Sequence, residues 1–210
     1  MNFDFEKDIL NWSNRVISRL GHEPSGDCES PSRLSQVFNI LRNRIPPVPR
    51  TVEVATDFTC PQSYLNGYKQ VISEIDRGDD LMPRCSRQQV NRSGYIDLML
   101  LDWGIYHLHL GTDKISKGKT KGLIQGHKEI LFVFITNDKA YIIGIFDHSS
   151  WTKQAVLQIV HDNWPHLLEP WKLNNVLDLA VEPTDADRKP LRNAYVNCPF
   201  KIGNNIYPFS

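Results

Sequence analysis

Apolar residues recur every three to four positions at the start of the chain: Ile9, Trp12, Val16 and Leu20 share one helical face, and Gly21 follows as a stop. The pattern predicts a first helix from Phe5 to Leu20. A loop of Gly, Pro, Ser and acidic residues (GHEPSGDCES) separates it from a second helix opened by Pro31. That helix presents Leu34, Val37, Phe38 and Leu41 on one side and must end at Ile45, before Pro46 and Pro47. Thr51 to Ala55 (TVEVA) predicts a short strand. Tyr64, Leu65, Tyr68, Val71, Ile72 and Ile75 mark a third helix closed by Gly78. Gly78 to Gly94 is polar, holds Arg84, Arg87 and Arg92, and reads as an irregular connection.

From residue 104 the period changes. GIYHLHL (Gly104 to Leu110), ILFVFI (Ile130 to Ile135) and AYIIGIF (Ala140 to Phe146) are rich in β-branched and aromatic residues and predict strands. TNDK between the last two suits a hairpin loop, so an antiparallel meander is expected. ILFVFI is apolar on both parities and should be central, covered on both faces. Ser149 and Ser150 can cap a fourth helix with Trp151, Ala155, Val156, Ile159 and Val160, ending near Trp164 and Pro165. Thr184 with Asp187 resembles a capping arrangement for a short helix to Tyr195, and the tail from Phe200 to Phe209 has hairpin character around Gly203, Asn204 and Asn205. The fold class is therefore α+β: N-terminal helices, a central antiparallel β-meander, then C-terminal helices and a hairpin. A single domain over 1–210 is expected, mainly helical over 1–80 and sheet-containing over 100–210.

The chain has 210 residues, 40% hydrophobic and 23% charged, which is ordinary globular usage. Lys and Arg (24) balance Asp and Glu (24), which argues against a protein that coats nucleic acid or anionic membrane with its whole surface. Asp4, Glu6, Lys7 and Asp8 interrupt the N-terminus where a secretion signal needs an apolar core, and no run of eighteen apolar residues occurs, so a cytoplasmic protein without membrane contact is expected. Cys28, Cys60, Cys85 and Cys198 lie far apart with no C-x-x-C pair and are expected as reduced thiols.

Side chains alternate along a strand, so His107 and His109 point to one face, roughly 7 Å apart at their origins. Imidazoles exchange protons near neutral pH and also bind metals. No third ligand follows at a recognisable spacing: Gly111, Thr112, Asp113 and Lys114 stand where a cupin-like strand would place a Glu, so no metal or other cofactor is expected. Lys114, Lys117, Lys119, Lys121 and Lys128, with His127, form the one concentrated basic stretch, interleaved with Gly118, Gly122 and Gly126. Such a segment can follow a phosphate backbone, although GKTKG lacks the spacing of a Walker-type phosphate loop. Asp147, His148 and Trp151 close the third strand, and Trp151 could stack on an unpaired base. His161 and His166, five apart with Pro165 between them, do not make a helical metal pair.

The layout of helices followed by HKEILFVFITNDKAYIIGIFDHSSW resembles that of the RelE/ParE-type toxin superfamily, over roughly 104–164. The resemblance implies a small α/β protein that cuts messenger RNA, with a sheet face of basic and histidine groups. The matching positions are His107, His109, Lys128 and His148. A ribonuclease-like toxin or defence protein is the leading expectation, with His107, His109, His148 and Lys128 as acid, base and charge-stabilising groups and Lys114, Lys117, Lys119, Lys121, His127 and Trp151 contacting RNA. A protein-interaction role, immunity- or antitoxin-like, is the alternative, with WTKQAVLQIVHDNWPHLLEPW as the interface. A metal-dependent enzyme using the H-x-H pair stands third. The partners expected are RNA and a cognate antitoxin or another protein.

Overall fold

A computed structural model describes residues 4–26, 29–92, 94–194, 196 and 198–208. Helix α1 (Phe5–Arg19) starts where the Asp4 carboxylate accepts from the Lys7 backbone N–H at 3.1 Å, and α2 (Ser30–Asn43) carries Pro31 in its first turn. The two helices pack as a hairpin around Ile17, Val37 and Ile40, a cluster separate from the two that sandwich the main sheet.

That sheet has four strands in the order β1-β4-β3-β2. Strands β2 (Ile105–His109), β3 (Glu129–Ile135) and β4 (Lys139–Asp147) form the expected antiparallel unit. Strand β1 (Thr51–Val54) adds to the outer edge of β4, and it does so in parallel, with Val52 opposite Ala140. The sheet is therefore mixed, and β3 and β4 are both internal. One face carries Leu108, Leu131, Val133, Ala140 and Ile142 and is covered by α3 (Leu65–Arg77) through Val71 and Ile75. The other carries Ile105, Ile130, Phe132, Tyr141 and Ile143 and is covered by Val156, Leu157 and Val160 of α6 (Gln154–Asn163). Burial on both faces is what the doubly apolar ILFVFI requires. The pairing shifts between Phe132, opposite Gly144, and Val133, opposite Ile142, which leaves Ile143 as the extra residue of a bulge. Phe146 lies over the bare backbone of Gly144 and stacks on Phe132, with ring centroids 5.0 Å apart.

Other elements refine the sequence expectations. The stretch read as an irregular connection contains a 3-10 turn (Met82–Arg84) and a short helix, α4 (Arg87–Asn91). Helix α5 (Leu98–Trp103) was not legible in the pattern: its six residues are too few to show a period. The helix expected from Ser149 begins as a 3-10 turn (Ser150–Thr152) and becomes α-helical only at Gln154. Thr184 and Asp187 do form a capping box, at the start of α7 (Asp185–Asn193). The tail folds into the hairpin of β5 (Phe200–Ile202) and β6 (Asn205–Tyr207), turned at Gly203 with φ +58°. Tyr195 and Phe209, the expected ends of that last helix and tail, lie outside the described residues, as does Cys28. Cys60, Cys85 and Cys198 are free thiols. Among the described residues no helix is long and apolar enough to cross a membrane.

Candidate functional site

Gly104, in the left-handed region at φ +68°, turns α5 directly into β2. A helix rises about 1.5 Å per residue and a strand about 3.3 Å, so the seven residues back to Asp97 and the three forward to His107 both span about 10 Å. The helix doubles back along the strand, and this brings Asp97 beside His107. The Asp97 side chain, 5% exposed, accepts from the backbone N–H groups of Met99 and Leu100 through Oδ1, both at 3.1 Å, and thereby caps α5. Its other oxygen, Oδ2, lies 3.4 Å from Nδ1 of His107. The capping bonds fix the carboxylate and the carboxylate faces the ring, so the pair is pre-positioned rather than incidental.

His107 and His109 share the sheet face, and His148, just past the end of β4, joins them. The ring of His109 lies 5.8 Å from that of His148, centroid to centroid. His148 places Nε2 3.3 Å from the backbone carbonyl oxygen of His127, whose ring stands edge-on to Tyr64. The ring of His109 is packed beneath the loop: a Cβ added at Gly126 would sit 3.2 Å from its Cε1, and its Nδ1 is buried with no hydrogen-bond partner. Burial, reinforced by His148, His107, His127 and Arg84, lowers His109 to about 4, so it is neutral at physiological pH. Below it, buried Arg84 donates to the carbonyl oxygens of His109 (2.9 Å) and Gly111 (3.1 Å) and pairs with Glu74, pinning the end of β2. Asp147 is held low, to about 2, by hydrogen bonds from Ser149.

His107 and His148 line one cleft of about 490 Å³, together with Arg87, Tyr95, Asp97, Phe132 and Trp151 among others. His109 does not line it. Nor do Lys114, Lys117, Lys119, Lys121, His127 and Lys128, all of which are exposed. Residues 114–124 form a closed excursion: Lys114 bridges Ile124, Ile115 donates to Leu123 at 2.8 Å, and Lys117, Lys119 and Lys121 occupy its outer end. Trp151 lines the cleft and also packs against the core. His161 lies 3.1 Å from the Tyr207 hydroxyl, away from this cleft's lining.

Most of the cleft lining was not singled out from sequence, Asp97, Arg87 and Tyr95 included. Asp97 had a usable signal, a capping residue followed by LMLLDW and a glycine, just before the H-x-H strand. Arg87 had none. Among the described residues, no three His, Cys, Asp or Glu side chains come together as a metal-holding set. Compared with family models, with curated proteins and with solved structures, the chain matches none.

Proposed function

We propose that the chain is a ribonuclease of the toxin or defence type that cleaves RNA in the cytoplasm by general acid–base chemistry without a metal. The observation that carries the reading is the Asp97–His107 pair, buried on the carboxylate side and open to the cleft on the other, with a second histidine, His148, lining the same cleft. Asp97 orients the imidazole through Nδ1, which leaves Nε2 of His107 to take the proton of a ribose 2′-hydroxyl. The 2′-oxygen attacks phosphorus, the P–O2′ bond forms, the P–O5′ bond breaks, and His148 gives its proton to the departing 5′-oxygen. Lys128 lies one residue before Glu129, which pairs with Asp147, so it sits at the same strand end as His148 and adds positive charge there. His109 does not handle the reacting protons in this scheme. It is a neutral wedge that positions His148. The reading is the one that the resemblance in layout to RelE/ParE-type toxins implies.

Expression of the wild-type chain in a bacterial host, with growth and total RNA followed over time, tests it. The wild type should arrest growth and fragment RNA, and H107A should do neither. Unaltered growth and RNA with the wild type would contradict it.

A non-enzymatic protein-interaction role, immunity- or antitoxin-like, is the second reading. The segment expected as its interface, WTKQAVLQIVHDNWPHLLEPW, instead turns its apolar residues into the core, Val156, Leu157, Val160, Trp164, Leu167 and Leu168 among them. The reading is favoured by the apolar side chains that α1 and α2 leave in solvent: Phe5 (76% exposed), Trp12, Phe38 (58%) and Leu41.

A further inference from the structure

The shape and charge of the cleft restrict what reaches His107. Its volume of about 490 Å³ lies in the range of about 300–1,000 Å³ found for sites that enclose a small molecule, and so fits a single nucleotide unit. Tyr95 and Trp151, both part-exposed, give it aromatic wall, which accepts the face of any base, and the buried Phe132 lies beneath it. Arg87 is the single Lys or Arg among the lining residues, it is exposed, and it makes no ion pair among the described residues. Asp97, the single acid in the lining, is committed to His107. One uncommitted cation in an aromatic-walled cleft matches one phosphate and one base, not a tract of backbone. In duplex RNA the 2′-hydroxyls lie along a wide, shallow groove with the bases stacked inside, whereas an unpaired nucleotide can be splayed out into a cleft.

Resting on the ribonuclease reading, we infer that the cleft admits one unpaired nucleotide of single-stranded RNA, with its base against Trp151 and an adjoining phosphate on Arg87, and that duplex RNA is excluded. Arg87 is then a binding residue and Trp151 a stacking surface. The lysines of the 114–124 excursion lie outside this contact and take no part in the choice between single strand and duplex.

The test uses a fluorescently labelled RNA oligonucleotide, alone and annealed to its complement. Cleavage is followed with the wild-type chain, and binding by anisotropy with H107A, which separates affinity from chemistry. The single strand should bind to H107A and be cleaved by the wild type at least tenfold better than the duplex. R87A added to H107A should weaken binding and reduce the slope of log K against log salt by about 0.7, the loss of one phosphate contact on a single strand. W151A should weaken binding about tenfold and W151F should restore most of it, a distinction that misfolding would erase. Comparable binding or cleavage of duplex, or R87A binding as H107A alone does, overturns the inference while leaving the ribonuclease reading intact. Selective, Arg87-dependent binding of the single strand with no cleavage by the wild type supports the inference and overturns the ribonuclease reading. No binding of either RNA overturns the inference.

Discussion

Asp97 Oδ2 lies 3.4 Å from Nδ1 of His107, while Oδ1 of the same carboxylate caps α5. One side chain thus serves the helix and the site, and substitutions can separate the two duties. Asn caps a helix about as well as Asp, so D97N should keep stability within about 1 kcal/mol of wild type. It presents no charge to His107. RNA cleavage by D97N should therefore fall by about 10²-fold or more in kcat, with little change in KM. D97S, which retains a cap but is too short to reach the ring, should behave alike. Parallel thermal melts and initial rates check both statements; a D97N protein with wild-type kcat would remove Asp97 from the mechanism.

His109 makes stability depend on pH. Its folded-state value is about 4 against an ordinary 6.5, so the unfolded chain takes up its proton first as pH falls. The stabilisation is fully present above 6.5 and is lost between 6.5 and about 4, a total of at most about 3 kcal/mol at 1.36 kcal/mol per unit. Asp147, lowered to about 2 from 3.8, acts in a separate window below this one. His22, also lowered by burial, contributes in the upper window, so the comparison is with H109Q. Urea midpoints from pH 7 to 4 should fall less steeply for H109Q than for wild type.

Arg84 holds the end of β2 from below, through Glu74 and the carbonyl oxygens of residues 109 and 111. Removing buried Arg84 leaves the part-exposed Glu74 carboxylate unpaired and two carbonyl oxygens without their donor, at a cost of about 3–5 kcal/mol. R84M should lower the melting temperature by about 6–20 °C for a chain of this size. Calorimetry of R84M beside the exposed-charge variant K117A, which should melt as wild type, checks it.

Gly67 of α3 carries the closest approach to the site strand: a Cβ there would stand 1.6 Å from the carbonyl oxygen of Leu110, just past β2. Backbone cannot yield at that distance as a side chain would. G67A should be among the most damaging single-methyl additions, yielding insoluble protein or a melting temperature lower by more than about 10 °C. Gly118, at φ +81° with open space around it, should cost only about 1–2 kcal/mol as G118A, from backbone strain alone. Soluble yield and melting curves of the two variants decide the matter.

The parts of the fold written in local pattern were readable before the structure. Ile9, Trp12 and Val16 place α1; Val71 and Ile75 place α3; and TNDK between two apolar runs joins β3 to β4. The parallel seat of β1 on β4 was not, because Val52 and Ala140 are distant in sequence and no turn fixes their register. The bulge at Ile143 has one mark in sequence, the neighbouring Gly144 inside an otherwise apolar run, but a lone glycine in a strand fits a close approach as well as a bulge. At the site, the shared face of His107 and His109 followed from strand alternation. Their different fates did not: His107 gained a carboxylate from the cap of a six-residue helix, and the ring of His109 was packed against Gly126 with its Nδ1 buried. The lysine cluster stood out in sequence because of its charge density, yet it occupies a solvent-exposed excursion outside the cleft lining.

The central claim, that His107 and His148 move the protons of an RNA transesterification, is tested most directly by end-group analysis of single-stranded RNA incubated with the purified chain in excess chelator. The account predicts 2′,3′-cyclic phosphate ends, no cutting at a 2′-deoxy position, and a loss of about 10²–10⁴-fold in rate for H107A and for H148A. Cutting that persists at the 2′-deoxy position, cutting by H107A at the wild-type rate, or intact RNA after incubation with the wild-type chain would contradict it.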